Sequence, residues 1–215
     1  MKIVKKVTLE EATRYKELPS ICRPKGLVYD HVGTLSYNYV HGAPATSFQQ
    51  VHNAADEFLW RGPGYFLEMN RLSYMDYVQQ KAAEIFDMAL NKYISKALQF
   101  IATDELTGVS NYHGDLTLPN VIVGADSSVT FIDPGFHRGL PCKELDEAKL
   151  LQSAEGFCSL YRGTPPGIDS HVLPRTRIHI VLLMTHSIRL LHHVRHREAR
   201  SFAFRRVNNI AAMWR

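Results

Sequence analysis

Cysteine is scarce in this chain. Cys22, Cys142 and Cys158 form no C-x-x-C pair and are odd in number, which argues against a disulfide framework or a cysteine zinc site and makes a reducing cytoplasm the expected compartment. Long apolar runs are missing too. The start, MKIVKKVTLEEATRY, is basic but lacks the apolar centre of a signal peptide. The most apolar C-terminal run, Ile178 to Met184, is far too short to span a bilayer. Neither repeats nor low-complexity segments are evident. With 45% hydrophobic and 21% charged residues in 215, the chain can bury a core as one domain or two small lobes, and wholesale disorder is excluded.

Charge is unevenly spread. From Pro174 onward nine Lys or Arg stand against one acid, Glu198, while the rest of the chain is net acidic despite an overall formal charge of +4. Segregation of this kind suits contact with an anionic partner, and equally a solvated helix face. His186, Arg189, His192, His193, Arg195, His196, Arg197 and Arg200 crowd one predicted helix. His192 and His196, four apart, have metal-pair spacing, but no third ligand is evident and cationic neighbours favour a plain basic helix.

The order of elements is α+β. Lys2 to Val7 reads as a strand, and Thr8 with Glu11 has the capping-box spacing that opens a helix through Glu17, before Pro19. Gly26 to Val40 reads as two strands with a turn near Gly33, and His41 to Ser47 as a loop. Residues 48–70 carry no decisive pattern beyond the turn Arg61-Gly62-Pro63-Gly64. A long helix is predicted over Leu72–Thr103, a further one over Glu144–Phe157, and one or two over about 174–213.

The chemistry concentrates in Tyr112-His113-Gly114-Asp115-Leu116-Thr117-Leu118-Pro119-Asn120-Val121-Ile122-Val123 and in Val129-Thr130-Phe131-Ile132-Asp133-Pro134-Gly135. Two β-branched runs joined by Ala125-Asp126-Ser127-Ser128 predict a hairpin. Folding it back brings Asn120 beside Asp133, with Asp115 on the loop leading to the same end. Asn120 and Asp133 can offer oxygens to Mg²⁺, which takes few protein ligands and completes its shell with phosphate and water. Asp115 would stay off the metal and accept the proton of an attacking hydroxyl. That layout serves phosphoryl transfer from a nucleoside triphosphate.

At these residues the chain resembles the protein-kinase-like superfamily. Asp115 and Asn120 keep the five-residue spacing of its catalytic loop, and Asp133 follows after the hairpin. Gly114 stands where protein kinases favour Arg and Thr117 where they place Lys, a form similar to the aminoglycoside phosphotransferase and choline kinase branch. Leu145 to Leu151 is similar to the helix that follows the metal-binding Asp there.

The resemblance implies a kinase-like two-lobe fold, with a reduced N-terminal β lobe and hinge over 1–41 and a mainly helical C-terminal lobe over 42–215. It implies ATP and Mg²⁺ as cofactors, Asn120 and Asp133 as metal ligands, Asp115 as base, and His113 as a buttress of the loop. Glu11 or Glu10 would pair with Lys5 or Lys2 near the phosphates, and backbone groups of Asn38, Tyr39 and Val40 would meet the adenine. The partners implied are a nucleoside triphosphate and a small-molecule hydroxyl acceptor such as an aminosugar, choline-like alcohol or glycan precursor.

One departure is plain. No G-x-G-x-x-G loop occurs in the chain, which gives weight to a non-catalytic nucleotide- or partner-binding module as the alternative. A short protein kinase is a third reading, opposed by Thr117 and by the lack of an A-P-E-like segment after Asp133.

Overall fold

The computed structural model describes residues 1–30, 32–61, 72–76, 79–80, 106–135, 141–154, 156 and 197–212. Strand β1 (Lys2–Lys6) leads into helix α1 (Leu9–Glu17) through the expected capping box: Glu11 N–H donates to Thr8 Oγ1 at 3.2 Å and Thr8 N–H to Glu11 Oε2 at 2.6 Å. Strands β2 (Val28–Tyr29) and β3 (Thr34–Asn38) follow, and the antiparallel order is β1-β3-β2.

Alternation along β1 decides which side chains face α1. Lys2, Val4 and Lys6 are exposed, whereas Ile3 and Lys5 are half-buried on the other face. With Ile3 opposite Tyr37 and Lys5 opposite Leu35, the inner face builds a core of Leu35, Tyr37, Ala12 and Tyr15, with Ile3, Val7, Leu27, Tyr29 and Val40 packed around it. Each large apolar side chain buried in this way contributes on the order of 2 kcal/mol.

The segment expected as loop after His41 holds a two-residue strand, β4 (Ala43–Pro44), at the edge of a second sheet ordered β4-β5-β6. Proline is tolerated there because an edge strand can spare an N–H. Gly42 lies so close to the hairpin that an added Cβ would come within 2.3 Å of the Val123 carbonyl oxygen, so only glycine lets the chain cross. Strands β5 (Val121–Val123) and β6 (Val129–Phe131) pair antiparallel as expected, Val121 opposite Phe131.

Residues 48–59, undecided in the sequence, are helical. Helix α2 (Phe48–Ala54) continues as a π-helical turn (Ala55–Leu59) and buries Phe48, Val51, Ala54, Ala55 and Leu59. The widened turn closes with Trp60 N–H on the Ala55 carbonyl at 2.8 Å and delivers the Trp60 indole to the site described below.

Helix α3 (Lys143–Ala154) begins one residue before the predicted start at Glu144, and α4 (Arg197–Ala212) exposes Arg197, Arg200 and Arg205. Residues 72–76 and 79–80 of the predicted Leu72–Thr103 helix are helical. The rest of that helix, the His186–His196 cluster and the turn at 62–64 lie outside the described residues. Among the described residues no helix is long and apolar enough to cross a membrane.

Candidate active site

The hairpin gathers the three residues singled out by the sequence. Ile132 N–H donates to the Asn120 carbonyl at 2.9 Å, which fixes the two ends of the ribbon side by side. Asn120 closes a 3₁₀ turn (Leu118–Asn120) with Pro119 inside it, and its amide Nδ2 donates to the Asp115 carbonyl at 2.9 Å and to Asp115 Oδ2 at 3.2 Å. Both amide hydrogens are thereby spent on Asp115, and Oδ1 is the atom left to accept or coordinate.

Asp133 has a left-handed backbone, φ 54°, a conformation that Asp tolerates better than most residues. Its N–H donates to the Tyr15 hydroxyl at 3.1 Å, and that hydroxyl in turn donates to Asp133 Oδ1. Lys5 Nζ pairs with the same carboxylate oxygen. Among the described residues no protein donor reaches Asp133 Oδ2, so two oxygens, Asn120 Oδ1 and Asp133 Oδ2, stand ready at one end of the hairpin. This donor set suits a hard divalent cation that keeps most of its shell for phosphate and water. Among the described residues no three His, Cys, Asp or Glu side chains gather into a metal cage.

His113 sits behind the loop and is fully buried. Its Nε2 lies 2.9 Å from the Ile132 carbonyl, and its Nδ1 accepts the Asp115 N–H at 3.2 Å. These two contacts assign the neutral tautomer with the proton on Nε2. Burial lowers the pKa of the ring from the usual range, against the pull of Asp146 and Asp115, so the uncharged form is the one the site holds. This geometry makes His113 a strut between loop and hairpin.

Helix α3 supplies what the motif alone did not reveal. Asp146, fully buried, accepts from His113 N–H and Gly114 N–H at 2.7 Å each and from Trp60 Nε1 at 3.0 Å. Burial pushes its carboxyl up, and these donors and His113 pull against that. Ser153 Oγ accepts the Leu118 N–H at 2.9 Å, and Lys149 Nζ pairs with Asp115 Oδ1 at 2.8 Å. The spacing 146, 149, 153 is one face of a helix, and the polar residues on it were the available signal. An aspartate and a lysine one turn apart, both buried, do not form a solvated face.

Gly114 and Gly135 allow the loop and the hairpin end to touch. Gly114 has φ 79°, and a Cβ on Gly135 would fall 2.5 Å from Asp115 Cβ. Gly135 N–H donates to the His113 carbonyl at 2.8 Å. The glycine after Asp133-Pro134 thus sets the distance to the candidate base.

Around the first sheet the wiring differs from the expected pairing. Lys5 reaches Asp133, whereas Glu11 is committed to the α1 capping box, and it is Tyr15, one turn further along α1, that meets Asp133. At the end of β3, Asn38 N–H is taken by the Lys25 carbonyl at 2.8 Å and Tyr39 N–H by the Met1 carbonyl at 3.0 Å. Those two amides are therefore occupied, and Val40 packs against the core of Ala12, Tyr15, Leu35 and Tyr37.

No protein-family model matches the chain, and no curated protein does. Solved structures do. A choline kinase from Streptococcus pneumoniae superposes with a TM-score of 0.62 at 11% identity, over 99% of this chain and 86% of that one. An ethanolamine kinase from Plasmodium vivax does so with a TM-score of 0.54 at 14% identity, over 98% and 75%. The chain therefore has an α+β, kinase-like fold. At this level of identity the likeness is one of fold.

Proposed function

We propose that this protein is an ATP- and Mg²⁺-dependent phosphotransferase acting on a hydroxyl of a small molecule, an aminosugar, a choline-like alcohol or a glycan precursor. The observation that carries the reading is the convergence of Asp115, Asn120 and Asp133, with Asn120 Oδ1 and Asp133 Oδ2 left without a protein donor among the described residues. Asn120 and Asp133 would hold Mg²⁺, which when bound draws negative charge off the phosphate oxygens. Asp115 orients the acceptor hydroxyl and takes its proton as the hydroxyl oxygen bonds to the γ-phosphorus. The bond from that phosphorus to the bridging oxygen breaks, ADP leaves, and the proton passes from Asp115 to water.

Lys5 serves as the phosphate-side cation in this reading, exchanging its partner Asp133 for phosphate oxygens when nucleotide enters. The adenine would lie against residues 38–40 through groups other than the Asn38 and Tyr39 N–H, which are already paired. Asp133→Ala should abolish Mg²⁺-dependent phosphoryl transfer from ATP across an acceptor panel of choline, ethanolamine and aminosugars, and unchanged turnover would overturn the assignment. The absence of a G-x-G-x-x-G run keeps a non-catalytic nucleotide-binding module as the second reading. Thermal stabilisation of the wild type by Mg²⁺·ATP with no transfer to any acceptor would favour it.

A further inference from the structure

We propose that Lys149 is a positioning residue of the phosphoryl-transfer site, supplying from helix α3 the positive charge that the catalytic loop itself lacks. The inference rests on the phosphotransferase reading above and deepens it.

Residues 113–120, His-Gly-Asp-Leu-Thr-Leu-Pro-Asn, contain no lysine or arginine, and Thr117, which is buried, is neutral. Asp115 would nevertheless have to sit beside a triphosphate, where an uncompensated carboxylate meets strong like-charge repulsion. Lys149 answers this from outside the loop. Its side chain is 9% exposed and its Nζ lies 2.8 Å from Asp115 Oδ1. The other polar contact it makes among the described residues is a long one, 3.4 Å to Gln152 Oε1, which is uncharged.

Asp115 is therefore gripped from both sides, Oδ1 by Lys149 and Oδ2 by Asn120 Nδ2. Two fixed donors define the plane of the carboxylate and so the direction from which it can meet a hydroxyl. Stability alone gives a poor account of the pair, because burying a lysine costs desolvation that an apolar side chain of similar length would avoid. The register of α3 explains how the residue arrives. Lys149 is one turn beyond Asp146, which anchors His113 and Gly114, so the helix that pins the loop also aims the cation at it.

The test compares wild type, Lys149→Met, Lys149→Arg, Asp115→Asn, the Asp115→Asn/Lys149→Met double variant and Asp133→Ala. Each is assayed for transfer from Mg²⁺·ATP to the best acceptor of the panel, for binding of Mg²⁺ and a non-hydrolysable ATP analogue by calorimetry, and for thermal stability. Lys149→Met should lower kcat about 100-fold, the scale of losing one preorganised charge, with analogue affinity within about threefold of wild type. Lys149→Arg should recover at least about tenfold of that loss. In the Asp115→Asn background Lys149→Met should cost less than about threefold more, because the lysine acts through the carboxylate. Should Lys149→Met fail to fold, Lys149→Gln is read against the same limits. Wild-type kcat in the uncharged variant, losses that multiply in the double variant, or a loss lying wholly in analogue affinity would each overturn the role. If Asp133→Ala is inactive and Lys149→Met is not impaired, the role of Lys149 alone fails. If wild type transfers nothing, or Asp133→Ala matches it, the underlying reading fails and takes this role with it.

Discussion

The two flanks of the site hold their aspartates by different means. On the C-terminal side, Asp146 is fully buried and accepts three N–H donors, while Ser153 and Lys149 add contacts along the same helix face. On the N-terminal side, Asp133 and Lys5 have side chains 43% and 32% exposed, and a single hydroxyl from Tyr15 completes the contact. The first arrangement is a dry, multiply anchored network in which any loss leaves buried donors unpaired. The second is partly wet, so its charges can change partners at modest cost. The proposed function would use both: a loop that stays put, and an aspartate that could take a metal ion while releasing its lysine to phosphate.

The contrast is most easily broken at Asp146. Asp146→Ala removes the acceptor of three N–H groups, and each one left buried and unpaired costs about 1–3 kcal/mol. Unfolding by urea should show a loss of at least about 3 kcal/mol. A loss below about 1 kcal/mol would mean that the loop is held by something other than this carboxylate.

The same contrast explains how much of the molecule could be read in advance. Asp115, Asn120 and Asp133 are set by local geometry, a turn and a hairpin, and lie within 18 residues of one another, so strand pattern and turn chemistry suffice to bring them together. Asp146 lies only 13 residues beyond Asp133, yet the sequence places it on a helix without a role, because helical periodicity says which residues share a face and not what that face meets. At the first sheet and α1 the deciding contacts span 128 residues for Lys5 with Asp133 and 118 for Tyr15 with Asp133. Lys2, Lys5 and Lys6 stand close to Glu10 and Glu11 in sequence, and nothing local says which lysine faces the site. The capping box had already claimed Glu11, since Thr8 stands three residues before it. Residues 48–59 escaped because their buried positions follow a helical step that a π-helical turn interrupts.

Tyr15 and Glu11 sharpen the comparison within the N-terminal flank. Tyr15→Phe keeps the ring beside Tyr37, 5.7 Å away between centroids, and deletes the hydroxyl that touches both the N–H and the carboxylate of Asp133. A hydrogen bond to a charged group is worth about 1.5–3 kcal/mol. The Mg²⁺ concentration for half-maximal binding of a nucleotide analogue should accordingly rise about tenfold. Glu11→Ala should cost about 1 kcal/mol of stability through the lost cap and leave that Mg²⁺ requirement where it was. A shifted requirement in Glu11→Ala would return Glu11 to the nucleotide site that the family resemblance implies for it.

The smallest effect expected is a pH dependence from His113. Burial depresses its pKa in the folded protein below the value of an unfolded histidine, near 6.5. The unfolded chain therefore binds the proton more readily, and the stability that neutral His113 contributes is present above about pH 6.5 and lost as pH falls below it. Protonation would also take away the Nδ1 lone pair that receives the Asp115 N–H, so the loss falls on the loop carrying the candidate base. Melting temperatures between pH 8 and pH 5 should decline more steeply for wild type than for His113→Gln, whose side-chain amide does not titrate and can still offer one donor and one acceptor. Parallel slopes for the two proteins would show that the acid sensitivity of this fold arises at another group and that His113 is held in the loop by packing against Phe131, its ring neighbour at 6.1 Å.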